Sequence, residues 1–150
     1  MEQRRLKVML DTNVLVDVLC PEGRPNAAFS ATVFRAIKEG KLEGEISTQS
    51  IIDAAYVASR TEGNQLTVFK QHVRELFDYV NIDGIDSFSI RTALEGTGPD
   101  FEDEAQYAHA YDTGCDVFLT GDRAFIRQHG GTNPNIQFFT PDEFVARLKE

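Results

Sequence analysis

The chain has 150 residues, of which 41% are hydrophobic and 26% are charged, and its formal net charge at pH 7 is −9. This composition is typical of one globular domain, and it excludes disordered, collagen-like and repeat architectures. No apolar run approaches the roughly 20 residues that a membrane span requires, so we expect a soluble cytoplasmic protein. The acidic balance by itself argues against a nucleic-acid ligand, because surfaces that bind phosphates are normally basic.

Apolar periodicity and capping residues predict strands and helices in near alternation. The predicted strands are residues 6–10, 45–47, 79–82, 117–120 and 136–139. The predicted helices are residues 14–19, 26–39, 48–60, 64–78, 86–94, 100–113, 122–128 and 141–148. Parallel strands need connections long enough to hold a helix, so this order predicts one α/β domain over residues 1–150, with a mostly parallel sheet between helical layers.

Acidic residues occur where several of these elements begin or end. Asp11 directly follows strand 6–10, and Asp122 follows strand 117–120. In parallel α/β sheets the ligand site lies beyond the carboxyl ends of the strands, so both carboxylates are expected at one edge. Asp103, with Asp100 one helical turn earlier, begins the helix that leads into strand 117–120. Asp53 lies in an otherwise apolar helical turn, where a buried carboxylate needs a cation, a metal or exposure to solvent.

Converging carboxylates without a matching group of Lys or Arg predict a site for Mg²⁺ or Mn²⁺, which prefer oxygen ligands. The histidines, His72, His109 and His129, are scattered, and Cys20 and Cys115 lack metal-site spacing, so zinc and His-dependent chemistry have weak support. Purely structural roles for these acids remain open at this point. Asp11, Asp100 and Asp122 are also suitable helix caps, and Asp53 is close enough in sequence to pair with Arg60.

Five segments, taken in chain order, resemble a PIN domain. They are DTN at residues 11–13, the helix that contains Asp53 and ends in YVASR, DFEDEAQYAHA at residues 100–110, VFLTGD at residues 117–122 and TPDEF at residues 140–144. The similarity covers nearly the whole chain and is greatest to PIN domains whose helix starts with a D-F-E-D-A-x-Q-Y-like segment. Many single-domain proteins of this size in that family are VapC-like toxins of toxin–antitoxin pairs. The resemblance implies a three-layer α/β/α sandwich and a metal-dependent endoribonuclease that hydrolyses RNA.

The resemblance also implies roles for individual acids. Asp11, Asp103 and Asp122 would hold Mg²⁺ or Mn²⁺, and Asp53 would be a fourth catalytic acid that orients the attacking water. Asp53 stands where many relatives have Glu, and its shorter side chain favours action through a water molecule.

Two further positions depart from the family pattern and set limits on the resemblance. Gly121 replaces a basic residue that is common in relatives, and Ala124 replaces a frequent Asp.

The implied partners are an RNA substrate and a protein antitoxin that would place an Arg or Lys over the carboxylates. Helices 26–39 and 64–78 are candidates for the antitoxin groove or for a homodimer interface, although burial within the domain is the simpler interpretation. Arginines near the predicted site are candidates for RNA contact, with the last two as the stronger pair: Arg60, Arg91, Arg123 and Arg127.

Two other functions fit parts of the sequence. A phosphatase of the HAD type also has an Asp after its first strand, but its second Asp two residues later is here Asn13. A PIN-like binding module without catalysis would keep the fold, although the presence of all four acids disfavours it.

Overall fold

The computed structural model describes residues 4–61, 65–131 and 133–150. The strands in these ranges are β1 (Lys7–Leu10), β2 (Glu43–Ser47), β3 (Val80–Asp83), β4 (Val117–Leu119) and β5 (Gln137–Phe139). The helices are α1 (Thr12–Leu19), α2 (Ala27–Lys38), α3 (Thr48–Arg60), α4 (Leu66–Leu76), α5 (Ser87–Leu94), α6 (Phe101–Asp112), α7 (Arg123–His129) and α8 (Pro141–Leu148).

The five strands form one parallel sheet in the order β3-β2-β1-β4-β5. The predicted α/β fold with a parallel sheet is therefore confirmed. The central pair is β1 and β4, in which Leu10 is in register with Leu119. The ladder continues one residue beyond β1, because the backbone N–H of Asp11 donates to the carbonyl of Leu119 at 3.0 Å. The residues after these two strands are thus held side by side.

Both faces of the sheet are covered, which makes the fold a three-layer sandwich. Val8 and Leu10 contribute to the larger core on one face, whereas Met9 contributes to the core on the other face. This alternation follows from the two-residue period of a strand. The second core is largely aromatic, with Tyr107 and Phe118 of α6 and β4 in edge-to-face contact.

Most predicted boundaries agree with the structure to within about two residues, and α3 and α8 have the predicted bounds. Helix α1 begins at Thr12 and not at residue 14, because Asp11 caps it and the polar residues 12 and 13 form its first turn. Strand β2 begins two residues before the predicted start, at Glu43 and Gly44, which have low strand propensity but pair with β1. The predicted start of the helix over residues 64–78 lies outside the described residues.

One predicted apolar stripe is less buried than its pattern indicates. The apolar stripe of the helix predicted over residues 64–78 includes Phe69, Leu76 and Phe77 by helical spacing. Phe77 is the C-cap residue of α4 and is 66% exposed, whereas Phe69 and Leu76 are buried. Among the helices of the described residues, none is long and apolar enough to cross a bilayer.

Candidate metal centre

Asp11 is the most tightly fixed acid at the carboxyl edge of the sheet. Its Oδ1 accepts from the backbone N–H of Thr12 at 2.8 Å, and its Oδ2 accepts from Thr120 Oγ1 at 2.8 Å and Asn13 Nδ2 at 3.2 Å. The residue is only 2% exposed. Burial raises the pKa of Asp11 to about 6, against the opposing effect of the bonds from Thr120 and Thr12. These donors fix the carboxylate in one orientation.

Thr120 links Asp11 to Asp122. Its hydroxyl donates to Asp11 and accepts the backbone N–H of Asp122 at 3.1 Å. Asp122 is the N-cap of α7, and its Oδ1 accepts the N–H of Phe125 at 3.0 Å. The cap uses one carboxylate oxygen, so the other oxygen of Asp122 is available to the site.

The N-terminus of α6 supplies two more acids. Asp100 is its N-cap and accepts the backbone N–H of Asp103 at 3.1 Å. One carboxylate oxygen from each of Asp100, Asp103 and Asp122 lies within 4.8 Å of the other two. The ends of two helices, α6 and α7, therefore place three carboxylates around a common point.

Asp103 has a more strongly raised pKa than Asp11. Burial, together with the charges of Asp11, Asp100 and Asp122, raises the pKa of Asp103 to about 8. Asp11 is linked through Thr120 to Asp122, and its charge contributes to the raised pKa of Asp103, so Asp11 lies near the three-acid group without being one of its members.

Asp53 lies apart from these acids. It is half-buried on α3, and its Oδ1 accepts from Gln49 Nε2 at 2.9 Å. The neighbouring carboxylate is Glu102, whose Oε1 accepts from Thr12 Oγ1 at 3.0 Å. Burial raises the pKa of Glu102, and the charges of Asp53 and Asp100 add to this rise. Glu102 therefore stands between Asp53 and the rest of the site.

The carboxylates at this edge are compatible with a hard divalent cation. Among the described residues, none of Asp11, Asp53, Asp100, Asp103 and Asp122 forms an ion pair with Lys or Arg. Histidine and cysteine are absent from the described three-acid group. An all-oxygen donor set suits Mg²⁺ or Mn²⁺, and a bound cation would relieve the repulsion that raises the pKa of Asp103.

The sequence found most of the acids at this centre but not their grouping. The structure brings Asp103 and Asp122 together and places Asp11 beside them. It adds Asp100, which helical spacing had put on the same face as Asp103. The predicted structural role for Asp53, an ion pair with Arg60, is wrong. Asp53 accepts a hydrogen bond from Gln49, and the Arg60 guanidinium lies over the Tyr56 ring at 4.8 Å.

Glu102 was missed as a site residue. The available signal was its position inside the DFED segment, directly before Asp103. Its side chain leaves α6 toward α1 and α3, and that direction depends on how the three helices pack.

The sequence profile of the PIN domain family matches residues 7–124. The chain belongs to the PIN domain family, and this membership does not favour the phosphatase alternative. Among curated relatives, the chain is 27% identical over 146 residues to Ribonuclease VapC1 of Aquifex aeolicus, with 94% of each chain covered.

Two solved structures share the fold. Mycobacterium tuberculosis VapC20, described as a Sarcin-Ricin loop cleaving toxin, has a TM-score of 0.64 at 13% identity, with 81% of this chain and 94% of VapC20 covered. A DNA-bound VapBC complex from Salmonella typhimurium has a TM-score of 0.60 at 18% identity, with 91% of this chain and 98% of that chain covered.

Proposed function

We propose that this chain is a Mg²⁺- or Mn²⁺-dependent endoribonuclease and the toxin of a type II toxin–antitoxin pair. The observation that carries the proposal is the convergence of Asp100, Asp103 and Asp122 within 4.8 Å, with the buried Asp11 linked to Asp122 through Thr120. The name of the Aquifex relative, a ribonuclease, supports RNA as the substrate. The VapBC complex supports a protein antitoxin as the partner.

Asp11, Asp103 and Asp122 would hold the metal, with Asp100 as a further available ligand. A divalent cation at such a site lowers the pKa of water and neutralises charge on the scissile phosphate. The protein itself holds the carboxylates in position. Thr120 binds the carboxylate of Asp11 and the backbone N–H of Asp122 through one hydroxyl, so the orientation of Asp11 is tied to the backbone position of Asp122.

Asp53 would orient the attacking water, and Glu102 would accept a proton from it. Both line a cavity of about 420 Å³ between α3, α5 and α6, beside the metal centre. Gln49 donates to Oδ1 of Asp53 and so fixes the orientation of this carboxylate. The raised pKa of Glu102 favours proton uptake by this carboxylate. Asp53 therefore acts as an orienting group and not as a metal ligand.

The proposed antitoxin would cover this acidic edge with a cationic side chain, as a substitute for the metal charge. Homodimer formation and a cytoplasmic location remain predictions from the sequence.

The test is cleavage of RNA by purified protein with Mn²⁺, Mg²⁺ or a chelator. We expect Asp103→Asn and Asp11→Asn to abolish metal-dependent cleavage. Asp53→Asn is expected to reduce it by about 10-fold to 100-fold, as for groups that act through another ligand. Asp112→Asn, the same change at the exposed end of α6, is the matched control and retains full activity.

Thermal unfolding with and without Mn²⁺ separates catalysis from binding. Wild type gains melting temperature with Mn²⁺ because the metal binds only the folded state, and Asp103→Asn does not. Full cleavage by Asp103→Asn, or cleavage that persists in chelator, contradicts the proposal. A wild type with neither a metal shift nor cleavage would instead be a non-catalytic PIN module.

A further inference from the structure

A polar cavity of about 300 Å³ lies next to the candidate metal centre and shares Asp122 with it. It is formed by the segment between α1 and α2 and by the turn after β4, and its lining includes Asn13, Arg24, Asn26 and Gly121. Asp122 lines this cavity as well as the smaller one that contains Asp100 and Asp103. We call it the Arg24 cavity. A ligand in it would adjoin the carboxylates directly.

Arg24 is held in place before any ligand binds. Its Nε donates to Asp17 Oδ1 at 2.7 Å, and its Nη2 donates to the carbonyl of Asn13 at 3.0 Å. Asp17 is itself 5% exposed and accepts a second bond from Ser30 Oγ at 2.7 Å. A guanidinium has five N–H groups, so these two contacts leave donors for a further acceptor. A fixed side chain also loses less conformational entropy when it binds.

The other arginines near the site are less suited to this role. Arg123, predicted from the sequence to be part of the stronger RNA-binding pair, contacts Asp142 at 3.4 Å and Glu143 at 3.6 Å. Arg60 stacks over Tyr56. Both are exposed, as are Arg91 and Arg127, whereas Arg24 is only partly exposed. The structure therefore moves the candidate cation from α7 to the segment before α2.

Two acids also line the cavity: Asp17, which is paired with Arg24, and Asp122, which belongs to the candidate metal centre. The remaining lining supplies amide groups and the amino end of a helix, which suit an anion. Asn26 is the N-cap residue of α2 but makes no side-chain cap bond within the helix. The amino end of this 12-residue helix adds a partial positive charge. At Gly121, a Cβ would lie 3.4 Å from Asn13 Oδ1 and 3.8 Å from Asn26 Nδ2. Glycine thus keeps the space between the two amides open.

We propose that the Arg24 cavity binds a backbone phosphate of the RNA, next to the phosphate that is cleaved. The inference rests on the proposed function for the identity of the ligand. An acidic chain of net charge −9 needs a local cation to hold a polyanion. A guanidinium recognises phosphate through paired hydrogen bonds, and here it lies beside the acids that would hold the metal. Arg24 would thereby determine which phosphate of the RNA lies at the metal centre.

The test measures binding of a fluorescently labelled single-stranded oligouridylate by anisotropy, in chelator, over a range of KCl concentrations. Each phosphate contact to a single strand contributes about 0.7 to the slope of log K against log salt. We expect Arg24→Gln to weaken binding and to reduce this slope by about 0.7. Arg24→Lys keeps the charge and retains the slope. Arg123→Gln is the matched control, because Arg123 is exposed and does not line the cavity, and it leaves the slope unchanged.

A second variant avoids the Arg24–Asp17 pair, in case Arg24→Gln fails to fold. Asn26→Asp keeps a favourable N-cap for α2 but puts a negative charge into the cavity. We expect it to weaken binding by about fivefold or more, as for two unit charges about 4 Å apart in water. Asn135→Asp makes the same charge change before β5, at the opposite end of the sheet, and leaves binding unchanged.

Three results would overturn the inference: an unchanged slope in folded Arg24→Gln, equal losses in the test variants and their controls, or no wild-type binding at low salt. RNA cleavage by wild type with Mn²⁺ is measured in parallel. Cleavage without an Arg24 effect overturns only the phosphate site. Absence of cleavage overturns the proposed function, whereas the salt slopes still show whether Arg24 contacts a phosphate.

Discussion

At the scale of single residues, the candidate metal centre is defined by charges that the fold holds together at a cost to its own stability. Asp103 is buried among Asp11, Asp100 and Asp122, and its pKa is raised to about 8. Such a carboxylate favours a proton or a cation in the folded state. Removing its charge should therefore stabilise the metal-free protein.

We expect the stability of the metal-free protein to fall as the pH rises from about 4 to about 8. Unfolded Asp103 has its ordinary pKa of 3.8, so between these values the folded state binds more protons than the unfolded state. Asp11, with a pKa of about 6, adds to the same trend over the lower part of the range. Asp103→Asn should flatten this dependence and raise the melting temperature at pH 8.

Thermal unfolding in chelator across this pH range checks the expectation. Each kcal/mol recovered corresponds to about 2–4 °C in a chain of this size. Asp112→Asn is again the control, since that carboxylate lies outside the cluster. Equal pH dependence in Asp103→Asn and wild type would show that Asp103 is not under the repulsion inferred here.

At the scale of secondary-structure elements, a small network of polar side chains joins the helices that carry the acids. Thr12 of α1 and Ser50 of α3 share a hydrogen bond of 2.7 Å between their hydroxyls. Gln106 of α6 donates to Ser50 Oγ at 2.8 Å. Thr12 also donates to Glu102, also on α6. The network therefore fixes α1, α3 and α6 relative to one another near the site.

We expect Thr12→Val to destabilise the protein by about 1–3 kcal/mol, because it removes the two hydrogen bonds that the Thr12 hydroxyl makes with Ser50 and Glu102. Thr12→Ser keeps the hydroxyl and should restore most of this loss. Urea unfolding of the three proteins provides the measurement. If Val and Ser at this position are equally stable, the network contributes packing and not hydrogen bonding.

The elements themselves were largely predictable from local signals, whereas their mutual orientation was not. The strand before Asp11 and the capped start of α6 are visible as an apolar run and an Asp at the N-cap. The network of Thr12, Ser50 and Gln106 joins residues up to 94 positions apart. No local pattern encodes such a contact, because it depends on how three helices pack against one sheet.

At the scale of the whole molecule, the sheet order places the most protected strands directly beneath the site. Strand β1 is central and lies between β2 and β4, and β3 and β5 are the edges. Met9, Leu10, Phe118 and Leu119 are fully buried. Asp11 and Asp122 thus follow strands whose last residues are fully buried inside the sheet.

Amide hydrogen exchange should reproduce this order. We expect the slowest exchange in β1 and β4 and faster exchange in β5, where Gln137 is exposed and only one neighbouring strand is present. Mass spectrometry of peptides that cover each strand makes the measurement. Slow exchange at β5 equal to that at β1 would indicate that this edge is covered in solution by another chain.

The amino-acid sequence by itself determined the parallel α/β fold and the family, because both depend on the order of apolar runs, helix caps and short acidic motifs. It also supplied Asp11, Asp53, Asp103 and Asp122 as candidates. Only the tertiary structure decided which carboxylates share a site, that Asp53 and Glu102 lie beside it, and that Arg24 and not Arg123 lines the cavity next to Asp122. The reason is physical: a motif fixes a residue's place on its own element, while distances between elements follow from packing across the whole chain.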